Sequence, residues 1–104
     1  MPFLMIYITH PTKEAAETLC HHLINQRLIA CANIFPIDSV YLWRGAITQE
    51  GEYVSIVKTR TDLWDELQTA IRKAHSYEVP CIMKITVEAN RDYELWIAAE
   101  TEVP

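Results

Sequence analysis

The densest run of chemically capable side chains is His75, Ser76, Tyr77, Glu78, Val79 and Pro80, which places imidazole, phenol and carboxylate in one short stretch stiffened by proline. Such a stretch reads as a loop, and loops held by a rigid scaffold are where binding groups concentrate. Imidazole suits borderline divalent ions such as Cu(II) and Zn(II), and His75 is the imidazole of this stretch. The same ring also fits the end of a helix, where the dipole favours a cation. Lys58 stands on a β-arm amid apolar neighbours, where a cation needs a partner, and Glu52 at the start of that arm is the candidate.

Other groups are weaker candidates. Cys20, His21 and His22 are adjacent on a helical pattern, so their side chains fan out about 100° apart and cannot chelate one ion together. Glu17 and His21, four apart, share a face and could hold a divalent ion, although an exposed pair of this kind is more often a solvated contact. His10, beside Pro11 at a strand end, is ambiguous. The three cysteines, Cys20, Cys31 and Cys81, are odd in number and widely spaced, which suits reduced thiols packed as small hydrophobes. No CxxC pair supports a zinc ribbon. Nothing pairs a nucleophile with a base, cradles phosphate or sets two carboxylates together, so no enzyme is expected. Trp43, Trp64 and Trp96 read as core and interface anchors, since no basic groove accompanies them.

The elements that must position these groups follow from periodicity. The stretch from Arg27 to Thr59, a third of the chain, reads as one long β-hairpin. Its first arm runs from Leu28 to Phe35 and resumes from Val40 to Trp43. Pro36 marks a bend, a bulge or a strand edge, because proline cannot donate to a ladder. Arg44 and Gly45 fit a two-residue turn. The return arm alternates, with Val54 and Ile56 on one side and Tyr53, Ser55 and Thr59 largely on the other, so one face is core-facing, and Glu50 and Gly51 suggest a bulge. Arms of this reach outgrow a small domain and predict pairing with another subunit.

Phe3 to Ile8 is an apolar run suited to a central strand. A helix capped by Thr12 follows, with Ala16, Leu19, Leu23, Ile24 and Leu28 as its stripe. Thr61 is expected to cap a second helix carrying Leu63, Leu67, Ile71 and Ala74, with His75 at its end. In the last strand Met83, Ile85 and Val87 alternate with Lys84, Thr86 and Glu88, and Asn90 caps a short final helix with Tyr93, Trp96 and Ile97. This order predicts an α+β, ferredoxin-like split-βαβ sandwich spanning residues 1–104 as a single domain, with two helices on one sheet face. The first strand offers hardly a polar position, so the other face should be buried by association.

Composition bounds the function. With 104 residues the chain can bury roughly 60 to 70% of its unfolded surface, enough for a core of its own. Fourteen acids against nine bases, a formal charge of −5, with no Lys/Arg cluster, argue against nucleic acid or an anionic membrane as partner and are compatible with cations. No segment approaches the ~18 apolar residues of a membrane helix, and the start lacks the basic region of a signal peptide. A cytoplasmic location is expected.

The patterns RLxACxNI over Arg27 to Ile34, SxYxWxGxI over Ser39 to Ile47, the pair Lys58 and Thr59, and HxYxxP over His75 to Pro80 occur in the order of the CutA divalent-cation-tolerance family, which the chain resembles over essentially its whole length. The resemblance implies a ferredoxin-like protomer, a homotrimer built by the long hairpins with Tyr41 and Trp43 at the interface, and a link to copper and other divalent metals. A bacterial copper site of that family uses a cysteine near the end of the first strand and paired histidines after the second helix. Here those positions hold Ile8 and Ala74, leaving His75, while Ser76 and Cys81 replace the proline and glutamate of the family's loop. Two functions are weighed: a trimeric metal-tolerance protein binding Cu(II) or Zn(II) weakly, with no obligatory cofactor, and a trimeric signalling or interaction module taking a small organic anion. In either case Lys58, Glu52, Tyr77 and Glu78 are the expected lining of an inter-subunit ligand cleft.

Overall fold

A computed structural model describes residues 1–102 of the chain. The elements are β1 (Phe3–His10), α1 (Lys13–Asn25), β2 (Cys31–Trp43), β3 (Ala46–Arg60), a 3-10 turn (Thr61–Leu63), α2 (Trp64–Ala74), β4 (Ile82–Val87) and α3 (Arg91–Glu100). The four strands form one antiparallel sheet in the order β2-β3-β1-β4, so β3 lies between the two strands that α1 connects.

The register assigns the faces. Leu4, Ile6 and Ile8 of β1 lie opposite Thr59, Val57 and Ser55 of β3, on the side covered by α1 and α2. There they meet Leu19, Cys20 and Leu23 of α1 and Leu67 and Ile71 of α2. Val54 and Ile56 therefore point to the opposite face, not to the helices, because the side-chain period of a strand is two. Part of that opposite face is closed by α3. The Tyr93 ring meets Phe3 edge-on at 6.0 Å, and Arg60 Nε donates to Thr101 Oγ1 at 3.1 Å. The rest is open in a single chain, where Met83 is 52% and Ile85 57% exposed, so the alternation of β4 is present but its apolar side is uncovered.

Pro36 does not interrupt the first arm. β2 is a single 13-residue edge strand, and Pro36 sits in register opposite Tyr53. An edge tolerates proline because its outward backbone has no partner to lose. Nor is there a bulge at Gly51: it pairs with Asp38 in a one-to-one register that holds from Cys31 to Trp43. Arg44 (φ 50°) and Gly45 (φ 82°) both take positive φ, the requirement of a type I′ turn. Thirteen residues span roughly 43 Å at strand rise, matching the molecule's longest extent of 45 Å. The hairpin tip thus stands outside the core, with Ile47 82% exposed.

Helix ends differ in detail from the sequence reading. Thr12 caps α1, its hydroxyl accepting from the Ala15 amide at 3.0 Å. The helix stops at Asn25, leaving Ile24 exposed and Leu28 beyond its end. Arg27 takes the left-handed conformation (φ 59°), and the Leu28 amide returns to the Leu23 carbonyl, a Schellman closure that folds Leu28 back into the core. Thr61 belongs to the 3-10 turn and provides no side-chain cap to α2. Ala74 is exposed. At α3 the cap position is Asn90, but the Glu94 carboxylate rather than the Asn90 side chain accepts an amide, that of Ala89, at 2.9 Å.

Candidate functional site

The end of α2 sets His75. Its amide still bonds the Ile71 carbonyl, but its backbone has turned extended, which starts the loop to Cys81. Nε2–H of the ring donates to the Thr9 carbonyl at 2.7 Å, and Nδ1 accepts from the Tyr77 amide at 3.0 Å. A carbonyl can only accept and an amide only donate, so this pair of bonds assigns a neutral ring protonated at Nε2. Both nitrogens are engaged.

Tyr77 carries the site onward. Its ring lies 4.8 Å from that of His75, and its hydroxyl donates to Glu52 Oε2 at 2.6 Å. Burial and then the Glu52 carboxylate raise the phenol well above its usual value. A second phenol repeats the arrangement: Tyr41 donates to Glu50, which with lesser help from desolvation and then neighbouring charge holds Tyr41 up to about 12. At the rim Arg44 meets Glu78 at 2.8 Å and lies 5.4 Å over the Trp43 ring. That ion pair is exposed on both sides and contributes at most about 1 kcal/mol. Glu52, Tyr77, Glu78, Tyr41 and Trp43 line an open cleft of about 340 Å³, together with Cys81. Burial, and then the charge of Glu52, push the Cys81 thiol up.

Lys58 is not brought to this cleft within one chain. It stands on the same face of β3 six residues from Glu52, roughly 20 Å away at strand rise. Its ammonium donates to Asn33 Oδ1 at 3.0 Å and to the Tyr93 hydroxyl at 3.2 Å, so its partners are neutral and Glu52 is not among them. Glu17 and His21 are both exposed and form no ion pair among the described residues. Among the described residues no group of three or more His, Cys, Asp or Glu is placed to hold a metal ion.

One cluster escaped the sequence reading. His10 is 1% exposed, its Nε2 lies 2.7 Å from Ser55 Oγ, and its ring stacks on His75 at a centroid distance of 5.5 Å. Burial lowers His10 from 6.5 to about 4, the neighbouring His75 adds to this, and Glu52 partly opposes it. Although His10 and Ser55 have the chemistry of a base and a nucleophile, Ser55 is fully buried and no outside substrate reaches it. The two are 45 residues apart, and only the β1–β3 register joins them. No local motif could have signalled the pair.

Residues 4–100 match the family model for CutA1 divalent ion tolerance protein. The divalent-cation tolerance protein CutA of Pyrococcus horikoshii is 42% identical over 100 residues, covering 95% of this chain and 98% of that one. A crystal structure of CutA1 from Pyrococcus horikoshii superposes with a TM-score of 0.93 at 40% identity, covering 96% of this chain and 99% of the other. A PII-like protein CutA from Nostoc sp. PCC 7120, in apo form, superposes with a TM-score of 0.88 at 28% identity over 98% of both chains.

Proposed function

Because the chain belongs to the CutA1 divalent ion tolerance family, we propose that it is a cytoplasmic homotrimer of ferredoxin-like protomers that acts in the response to divalent metal ions, binding copper or zinc weakly through His75. It works by binding rather than by catalysis. Assembly is supported by the unpaired edge of β2 and by the open apolar side of β4, which a second copy would cover. What supports the metal reading is membership of the divalent ion tolerance family, and the engaged imidazole of His75 is what makes the binding weak. A metal at Nδ1 displaces the Tyr77 amide, and one at Nε2 displaces the Thr9 carbonyl, each at a cost of about 1 kcal/mol. One imidazole also lacks company, so further donors must come from Glu78, Cys81, water or another copy. Weak binding that depends on assembly follows. Calorimetric titration of Cu(II) into wild type and His75→Ala at pH 7.5 tests it, and equal stoichiometry and affinity in the two would remove His75 as a ligand.

A second reading rests on Lys58. Among the described residues its ammonium has only the amide of Asn33 and the hydroxyl of Tyr93 against it, which leaves charge for a small organic anion. The similarity to a PII-like protein accords with such a signalling or interaction module. Saturable binding of a dicarboxylate, lost in Lys58→Ala and indifferent to His75→Ala, would select this reading over the first.

A further inference from the structure

We propose that His10 is a positioning residue for the His75–Cys81 loop: its buried ring is the platform against which the His75 imidazole is set, and through His75 it fixes where Tyr77 stands. The loop has no regular secondary structure of its own, since α2 ends at Ala74 and β4 begins at Ile82. Two hydrogen bonds hold its first ring, from Nε2 to the Thr9 carbonyl at 2.7 Å and from the Tyr77 amide to Nδ1 at 3.0 Å. Bonds to ring nitrogens run close to the ring plane, so they fix which edge points where but resist tilting of that plane weakly. Tilt is resisted by contact with a face. His10 supplies one, with 5.5 Å between ring centroids and the planes 20° from parallel. The Tyr77 ring supplies another at 4.8 Å, but Tyr77 belongs to the loop that is being placed.

The platform itself is rigid. His10 closes β1 in register with Tyr53, is 1% exposed, and has Nε2 2.7 Å from Ser55 Oγ on β3, so two strands hold it. From there the contacts run outward through the His75 ring to the Tyr77 amide, and from the Tyr77 hydroxyl to Glu52 at 2.6 Å. Burial keeps His10 uncharged at neutral pH and the bonds of His75 assign it a neutral ring, so the two meet without charge repulsion. An amide at position 10 would keep the bond to Ser55 but offer no ring face, whereas a phenyl ring would keep the face and give up the bond. Every contact named lies within one chain, and His10 is buried before any assembly. Where it concerns Cu(II), this inference rests on the metal reading; for the placement of the loop it does not.

The test compares His10→Gln with His10→Phe in metal-free protein at pH 7.5. Nitrogen–proton NMR of the imidazoles reads the His75 tautomer, and hydrogen exchange reads the Tyr77 amide that Nδ1 accepts. His10→Phe should retain the single Nε2–H signature of His75 and the wild-type exchange of that amide. His10→Gln should mix or broaden the signature and speed the exchange at least ~5-fold. A merely core-filling role for His10 gives the reverse order, because His10→Phe is the variant that gives up a buried hydrogen bond. An unchanged His75 signature in His10→Gln, or loop disturbance that follows the loss of stability rather than the loss of the ring face, overturns the proposal. If His10→Phe does not fold, His10→Gln against wild type still decides, since it keeps the bond and drops only the face. Calorimetric titration of Cu(II) adds the consequence for binding, with affinity expected to fall roughly 10-fold in His10→Gln and to hold in His10→Phe. Absence of Cu(II) binding in wild type would sink the metal reading, and the NMR comparison would still decide this one.

Discussion

Lowering the pH should destabilise the protein through His10, and the size of the effect can be worked out. The ring titrates near 4 in the folded chain and near 6.5 when exposed. Between those values the unfolded chain holds a proton that the native chain refuses. Stability contributed by the neutral buried ring is therefore complete above pH 6.5 and is lost as pH falls toward 4. From pH 7 to pH 5 a single group with these two values removes about 2 kcal/mol. His10→Gln isolates the contribution, because its amide sits where Nε2 does and can still meet Ser55 Oγ but does not titrate. His75, Glu52, Cys20, and Glu14 and His22 along the adjoining groove are present in both proteins, and because His75 and Glu52 act on the ring itself the comparison reads His10 together with its coupling to them. Urea denaturation at pH 7 and pH 5, at one fixed protein concentration because assembly couples to stability, gives the two losses. Wild type should lose about 2 kcal/mol more than His10→Gln across that interval. Equal losses would refute the claim that His10 is held neutral by burial.

Two further outcomes are expected. Trp43→Ala should loosen the proposed trimer by about 2 kcal/mol, the scale of a buried aromatic anchor, and light scattering over a dilution series should show dissociation at higher concentration than for wild type. Thiol titration should count three free cysteines per chain under denaturing conditions; in the native protein Cys20, buried and with its thiol pushed up by that burial, should react more slowly than the partly exposed Cys31 and Cys81.

The sequence by itself determined whatever depends on local pattern. Thr12 capped its helix because the hydroxyl and the amide it serves are three residues apart, and Arg44-Gly45 made its turn because two adjacent positive φ values are a property of that dipeptide. The long arms, the mixed fold and the His75 loop were legible for the same reason. Near the ends of elements the pattern was weaker: Leu28 has the right spacing for the α1 stripe but reaches the core by a Schellman closure, since Arg27 takes the left-handed region that glycine usually fills. Tertiary structure alone decided the rest. Val54 and Ile56 alternate correctly, yet alternation states only that two faces exist, and the register with β1 chose which one meets the helices. Lys58 and Glu52 share a strand face and opposite charge, but the strand keeps them roughly 20 Å apart and α3 supplies the lysine with Tyr93 instead. His10 and Ser55, 45 residues apart, touch only because β1 and β3 are neighbours, and burial rather than residue type then makes the imidazole a poor base.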